Sequence, residues 1–584
     1  MENMLKLKPS EQKPWLKFFT EEAINAETPK DTIYNVIKER NKNFLGNYAL
    51  NYFGNRITYG KMFKEIDKAA AAFQNLGIKK GDVVVCSTVT IPEAVYSLYA
   101  LNKIGATLYV LDPRMKSETV KKALDDSKAD VLIFLDLAYP LIKPVIAETN
   151  LKKVITISVQ TSMPKLTRLG AKVKMPSPKI DYNDKICAWE DFVKDADTSK
   201  IKEAKYGDND VAAISITGGT TGVPKGVMLT NDGFNAIYHN FKYCGVDCTR
   251  DHRFLNIIPI FASYGIAASL HMPLGLGLEV VVIPKFDVEK IGQYIKKYRP
   301  EHTMMAPAHY EKLANSKEIS KDFDLSFFRT AGSGGDTMNE GLEQKLNNFL
   351  KSRGCKYPLS QGYGMSEVSS AASCCCNGNF KSLSVGYPLL TTTIAIFEPD
   401  TTNELSYNQQ GEICITGPSI MAGYFKNQEE TDNVMKVHPD GKVWVHSGDL
   451  GYIDEDGFVF IKGRIKRMIT KFDGHKVFPP QIENVLGKNE NVFSCAVVGV
   501  KDRQHTQGQA VLAVVQLKEG SDKEAVRQEL IETLHRDVEE RGVPFDVWVI
   551  DKMPRTGMDK IAYGTLSENY DKMMDEKEAT AVVK

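Results

Sequence analysis

Short β-branched runs recur along this chain at 82–89, 131–135, 154–158, 211–216 and 279–283, and helical patterns fill most of the intervals between them. Met62, Phe63, Ile66, Ala69, Ala70, Phe73 and Leu76 repeat at helical spacing and stop before Gly77, a C-terminal signal. Met338, Leu342, Leu346, Phe349 and Leu350 mark the apolar face of a second helix. Parallel strands need long crossovers and antiparallel strands do not, so this alternation predicts an α/β fold with mostly parallel sheets covered by helices.

The texture changes after about residue 465. Apolar strands are expected at 492–500, 510–517 and 545–550, with a helix capped by Ser521 and Glu524 and running to about Val538. At 584 residues the chain is too long for one ordinary domain. A large N-terminal domain over 1–464 and a small mobile C-terminal α+β domain over 465–584 are expected, with a charged hinge at 464–467. The Lys-rich stretch from about 160 to 206 has weak periodicity and reads as a surface insertion.

Lys+Arg and Asp+Glu both number 74, so no net field is present to hold a nucleic acid, and phosphate binding must be local. Ten scattered cysteines do not form the framework of a secreted disulfide scaffold, and the adjacent Cys374, Cys375 and Cys376 read as structural thiols. The N-terminal segment lacks the apolar core of a signal peptide, so a cytoplasmic location is expected. From 257 to 278 only His271 can carry a charge, a length able to span a bilayer. Pro259 and Pro273 interrupt that stretch, however, and glycines loosen it, so it reads as buried core and no integral membrane segment is expected.

The densest chemical signal is SITGGTTGVPKGVMLTN at 215–231, which continues an apolar strand. Glycines, hydroxyls and a lysine this close together form a loop able to wrap phosphate oxygens. It is not a Walker A loop, because Lys225 follows Pro224 and precedes Gly226. Further on stand QGYGMSE at 361–367, GEICITGPSIMAGYF at 411–425, HSGDLGYIDEDGFVFIKGRIKRMI at 446–469 and MPRTGMDKI at 553–561. In this order, over about 30–570, the chain resembles the adenylate-forming superfamily that includes acyl-CoA and aryl-CoA synthetases, luciferases and nonribosomal peptide adenylation domains.

The resemblance implies a reaction in which a carboxylate attacks the α-phosphate of ATP, pyrophosphate leaves and an acyl-AMP forms. It assigns Thr217, Gly218, Gly219, Thr220, Thr221, Gly222 and Lys225 to the β- and γ-phosphates, and Glu367 with Thr217 to Mg²⁺. A hard carboxylate oxygen suits that ion. Gln361, Gly362, Tyr363, Gly364 and Ser366 are assigned to the nucleotide, Tyr363 offering a flat face to adenine. Asp449 and Arg464 are assigned to the ribose, where an acceptor-only carboxylate suits a vicinal diol. Lys560 is the residue expected to carry acyl activation, with Glu367 and Lys225 as the other catalytic candidates. A cation about 4 Å from each developing charge contributes roughly 4 kcal/mol per contact at an effective dielectric of about 20, before desolvation.

Lys466 matches the hinge, and Gly474 matches a loop that meets the pantetheine arm of coenzyme A in the second half-reaction, which yields acyl-CoA and AMP. Tyr264, Ala268, Gly335, Ser370 and Ala371 align with acyl-contacting positions. They are mostly small and uncharged, which favours a fatty or aryl acid over an amino acid, although Asp336 leaves room for a polar substrate. The pattern departs from relatives at Gly218, Asn231, Ala262, Asp559 and Tyr563. Two alternatives remain open: an acyl-AMP ligase that loads a separate acyl carrier protein, and a nonenzymatic nucleotide or acyl-ligand sensor on the same fold.

Overall fold

The computed structural model describes residues 8–582 apart from 175, 218–224, 337, 377 and 556–560. Two large sheets dominate the N-terminal part. A seven-stranded sheet runs in the order Ile186–Ala188, Lys153–Ile157, Val131–Leu135, Val83–Ser87, Thr107–Leu111, Val211–Ile216 and Gly226–Thr230. All its pairings are parallel except the last, where Val211–Ile216 meets Gly226–Thr230 antiparallel. A nine-stranded sheet includes Arg253–Asn256, Glu279–Val282, His302–Met305, Thr330–Ser333 and Ser360–Tyr363 as parallel neighbours.

The main hydrophobic core draws on both sheets and on the helices Tyr59–Asn75 and Pro92–Lys103. Every residue of Pro92–Lys103 is buried. A helix enclosed on all sides needs its ionisable groups partnered: the Lys103 ammonium lies 2.6 Å from Asp67, and Glu93 Oε1 accepts from Ser162 Oγ at 2.6 Å. The bilayer-length stretch after Ile257 is core, as expected. It holds an eight-residue π-helical segment, Tyr264–His271, followed by the helix Met272–Leu276. No helix among the described residues is long and apolar enough to cross a membrane.

Three features differ from the sequence reading. Between the nine-stranded sheet and Arg464 lies a five-stranded sheet, Thr393–Phe397, Gly411–Thr416, Met435–Val437, Val443–Ile453 and Val459–Arg464, paired antiparallel throughout. The N-terminal part is therefore not built from helix-covered parallel sheets alone. The Lys-rich stretch is less detached than expected: Ile186–Ala188 extends the seven-stranded sheet and Trp189 joins the main core. The helix Lys523–Asp537 is capped by Asp522, whose carboxylate accepts from the Glu524 and Ala525 amides, and not by Ser521. Both residue types cap well, and an anionic cap also complements the helix dipole.

After the turn Ile465–Arg467, a hairpin and a three-stranded sheet (Val492–Lys501, Gln509–Leu517, Asp546–Ile550) form the smaller unit. Strict alternation gives the central strand two buried faces. Val511, Ala513 and Val515 pack with the helices Pro479–Leu486 and Lys523–Asp537, while Leu512 and Val514 pack with Tyr563–Val582.

Candidate active site

Parallel strands deliver their following loops to one sheet edge, and ligands in open α/β sheets bind there. Val211–Ile216 leads into the phosphate-loop candidate, Thr330–Ser333 into Gly334 and Gly335, and Ser360–Tyr363 into Gly364. Cross-links join these loops. The Ile216 amide donates to the Phe261 carbonyl at 3.2 Å, and Ser263 Oγ donates to Ser366 Oγ at 3.0 Å.

The two ends of this phosphate-loop candidate are pinched together. The Thr217 amide donates to the Lys225 carbonyl at 3.0 Å, and the Lys225 amide donates to Thr217 Oγ1 at 3.3 Å. Gly218, Gly219, Thr220, Thr221 and Gly222 between them lie outside the described residues, as does Lys560. The Lys225 ammonium sits 4.9 Å over the Tyr424 ring, and the Tyr424 hydroxyl donates to Glu367 Oε1 at 2.6 Å. Burial first, and the Glu367 carboxylate second, hold the Tyr424 phenol well above its ordinary pKa, so it remains a donor at neutral pH. Tyr424 thus meets a cation with its ring face and a buried carboxylate with its hydroxyl. Lys225 also pairs with Glu430, whose carboxyl is held below its usual pKa by that lysine, with a smaller pull from Lys466.

A second cluster forms where the antiparallel sheet meets Ser360–Tyr363. Tyr363 Oη donates to Asp449 Oδ2 at 2.7 Å, and Arg464 Nε lies 2.8 Å from Asp449 Oδ1. Asp449 and Arg464 are register partners on neighbouring strands, so their meeting is a property of the ladder. Asp449 lies within the strand Val443–Ile453. Burial, then Asp449, raise the Tyr363 phenol. The backbone before Asp449 is held by Glu412, which accepts from the Gly448 amide at 3.0 Å and from His446 Nδ1 at 2.8 Å. Burial alone raises the Glu412 carboxyl, but His446 and the Gly448 amide outweigh it and leave it lowered.

Gln361 is buried and donates to Glu343, on the helix Glu340–Ser352. Gly362 faces Cys374 across the antiparallel pair Ser360–Tyr363 and Ser373–Cys374. A Cβ on Gly364 would lie 1.9 Å from the Ser370 carbonyl oxygen, so only glycine fits. Ser370 itself has φ +118° and follows Ser369 at φ +57°. Strained backbone of this kind is held in place by its surroundings and gathers at functional sites. The Ser370 hydroxyl is buried without a hydrogen-bond partner.

Of the acyl-contact candidates, Tyr264, Ala268 and Ala371 share one apolar cluster with Phe254, Met272 and Met304. Ala268 is wholly enclosed there. Gly335 is exposed, with φ +85°. Asp336 is also exposed, and its charge acts on Glu483 and Tyr563 of the smaller unit. Ala262 is buried beside the Ile216–Phe261 link, and Asn231 is a buried structural group that accepts from Asn102 Nδ2 and the Ile33 amide.

Lys466 is exposed in the turn Ile465–Arg467. Its neighbour Arg467 pairs with Glu483 and stacks 3.6 Å from the Tyr563 ring, so the tyrosine that departs from the family pattern anchors the turn to the smaller unit. Gly474 stands at the tip of a hairpin with φ +80° and open space around its Cβ position. Sequence reasoning missed Tyr424, Glu430, Glu412 and His446. Three of them, Tyr424, Glu412 and His446, lie inside the quoted motifs, but nothing local shows which distant partner each one meets.

These loops, gathered at the carboxyl ends of parallel strands and followed in the chain by a smaller α+β unit, define the adenylate-forming class of α/β proteins. The AMP-binding enzyme model matches residues 37–425 and the AMP-binding enzyme C-terminal domain model matches 481–560, and the chain belongs to this family. It is 30% identical over 574 residues to a long-chain-fatty-acid–CoA ligase of Bacillus subtilis strain 168, covering 95% of this chain and 98% of the relative. It is 30% identical over 486 residues to the 4-coumarate–CoA ligase CCL1 of Humulus lupulus, covering 80% and 81%. The fold is that of ATP-bound MatB from Rhodopseudomonas palustris, with TM-score 0.78 at 23% identity over 92% of this chain and 99% of that one.

Proposed function

We propose that this chain is an AMP-forming acid–thiol ligase, an acyl-CoA synthetase. It joins a carboxylic acid to the α-phosphate of ATP with release of pyrophosphate, then passes the acyl group to coenzyme A with release of AMP. The observation that carries this reading is that Tyr424 joins Lys225, at the end of the phosphate loop, to the buried Glu367. Lys225 supplies positive charge for the departing phosphates, and Asp449 with Arg464 receives the ribose hydroxyls. A buried carboxylate with one oxygen held by Tyr424 is a hard donor set that fits Mg²⁺, as does the Thr217 hydroxyl. When bound there, that ion neutralises phosphate charge.

Lys560 brings an ammonium to the substrate carboxylate and the α-phosphate in the first half-reaction. The boundary between the two domains lies at 464–467, and the smaller domain turns about Lys466 to present Gly474 to the pantetheine arm. The exposure of Lys466 and the gap between the two family matches support that hinge. The apolar cluster of Tyr264, Ala268 and Ala371 favours a fatty or aryl acid, in keeping with the names of the two relatives. All ten cysteines are free thiols, which suits a cytoplasmic location.

A panel of fatty and aryl acids, assayed for pyrophosphate release with and without coenzyme A, tests the reading. Expected are acid-dependent release and thioester formation with free coenzyme A. Lys560→Ala should lose acid-dependent ATP–pyrophosphate exchange while still converting supplied acyl-AMP to thioester. Thioester formed only on a carrier protein reassigns the acceptor; no acid-dependent exchange at all removes the ligase reading and leaves a sensor.

A further inference from the structure

The helix Lys165–Lys174 turns its apolar side chains toward solvent. Leu166 is 85%, Leu169 64% and Val173 84% exposed. Leu166 and Val173 are the two most exposed large apolar side chains among the described residues. At about 100° per residue, positions 166, 169, 170 and 173 fall on one stripe, while 168 and 171 fall on the opposite face. That opposite face is the docked one. Ala171 packs against the main core, Arg168 lies 3.9 Å from Glu190, and Met163 just before the helix is buried. The helix is therefore seated on the protein with its apolar stripe outward, the reverse of an ordinary surface helix.

Charge distribution says what covers it. From Met163 to Ile180 the sequence holds five cations, Lys165, Arg168, Lys172, Lys174 and Lys179, and no acidic residue, in a chain whose formal net charge is zero. The segment after the helix is tied down where Ser177 Oγ donates to Asp136 Oδ2 at 2.7 Å. Beside that anchor Leu137 is 39% exposed, and Leu141 is 40% exposed in the helix that follows. A nucleic acid would use the cations and leave the leucines in water. A second copy would bring like charges together. An anionic bilayer satisfies both features, since headgroup phosphates meet the cations and the acyl boundary takes the apolar stripe.

We propose that Lys165–Lys174 is an interfacial helix that lies flat on an anionic lipid surface and holds the protein there without spanning the bilayer. This does not rest on the ligase reading. The full-length chain is sedimented with mixed phosphatidylcholine–phosphatidylglycerol vesicles and with pure phosphatidylcholine vesicles. The parent should partition onto the mixed vesicles. Combined Leu166→Ser, Leu169→Ser and Val173→Ser should weaken partitioning on the order of a hundredfold. Combined Lys165→Ser, Lys172→Ser and Lys174→Ser should cost a similar factor on mixed vesicles and little on neutral ones. Both variants should keep the parent's thermal unfolding midpoint and its acid-dependent pyrophosphate exchange in vesicle-free solution, because Lys165, Leu166, Leu169 and Val173 are exposed and none of the altered residues belongs to the candidate site. The proposal is overturned if the parent stays in the supernatant with mixed vesicles, or if the serine-for-apolar variant sediments as the parent does. It is also overturned if a mixed-sequence RNA binds the parent and that variant equally while vesicles bind neither.

Discussion

Tyr424→Phe deletes one oxygen and leaves the ring under Lys225 in place. The lost contact is the 2.6 Å donation to Glu367 Oε1, between residues only 5% and 8% exposed, so solvent screening is weak. A hydrogen bond to a buried charged acceptor contributes about 1.5 to 3 kcal/mol. If Glu367 is the metal-holding carboxylate and its orientation matters in the transition state, that loss lowers kcat on the order of 10- to 100-fold. The assay is acid-dependent ATP–pyrophosphate exchange across a magnesium titration, with folding followed by circular dichroism. Expected are a lower plateau and a higher half-saturating magnesium concentration, with the ATP KM moved less, because the ring's contact with Lys225 is kept. A folded variant with the parent's kcat and magnesium dependence would refute the assignment of Glu367.

Gly364→Ala forces a Cβ to within 1.9 Å of the Ser370 carbonyl, a backbone atom that cannot step aside, so nucleotide binding should be lost and the thermal midpoint should fall; an unchanged ATP KM would contradict the close packing. Asp449→Asn removes the charge that accepts from Tyr363 at 2.7 Å and pairs with Arg464 at 2.8 Å. Arg464 is 47% exposed and contributes little, so most of the roughly tenfold to hundredfold rise in ATP KM should come from the buried side, measured at saturating acid. Glu93 is buried, and its carboxyl is pushed up to about 7 from 4.5, chiefly by burial. Between those values the folded chain keeps a proton that the unfolded chain releases, so stability drains as pH rises through that window, by about 3 kcal/mol in all. Glu93→Gln should flatten this part of the stability–pH curve in denaturant titrations at pH 5 and pH 8, and a variant that follows the parent's slope removes Glu93 as its source.

The strands at 131–135 and 211–216 and the helix ending before Gly77 were readable because β-branched runs and helical periodicity act over a few residues. The capping residue of Lys523–Asp537 was misread by one position, since Ser521 and Asp522 are both good caps and only the helix phase chooses between them. The antiparallel sheet over 393–464 went unrecognised as a unit. Its pairings are set by partners up to dozens of residues away, and a local pattern does not name a partner.

The same division applies to the site. The types of residue, the loop glycines and the order of the motifs are local, and they determined the class of chemistry and carry the resemblance from which Lys225, Glu367, Asp449 and Arg464 are proposed as site residues. Which groups meet is not local. Tyr424 reaches Glu367 across 57 positions and Tyr363 reaches Asp449 across 86, because the order of strands in the sheets brings their ends together. The stretch at 165–174 reads in the sequence only as part of a Lys-rich surface insertion of weak periodicity, and its helix is a finding of the structure. Only packing against the main core decided that Ala171 points inward and Leu166, Leu169 and Val173 point to solvent.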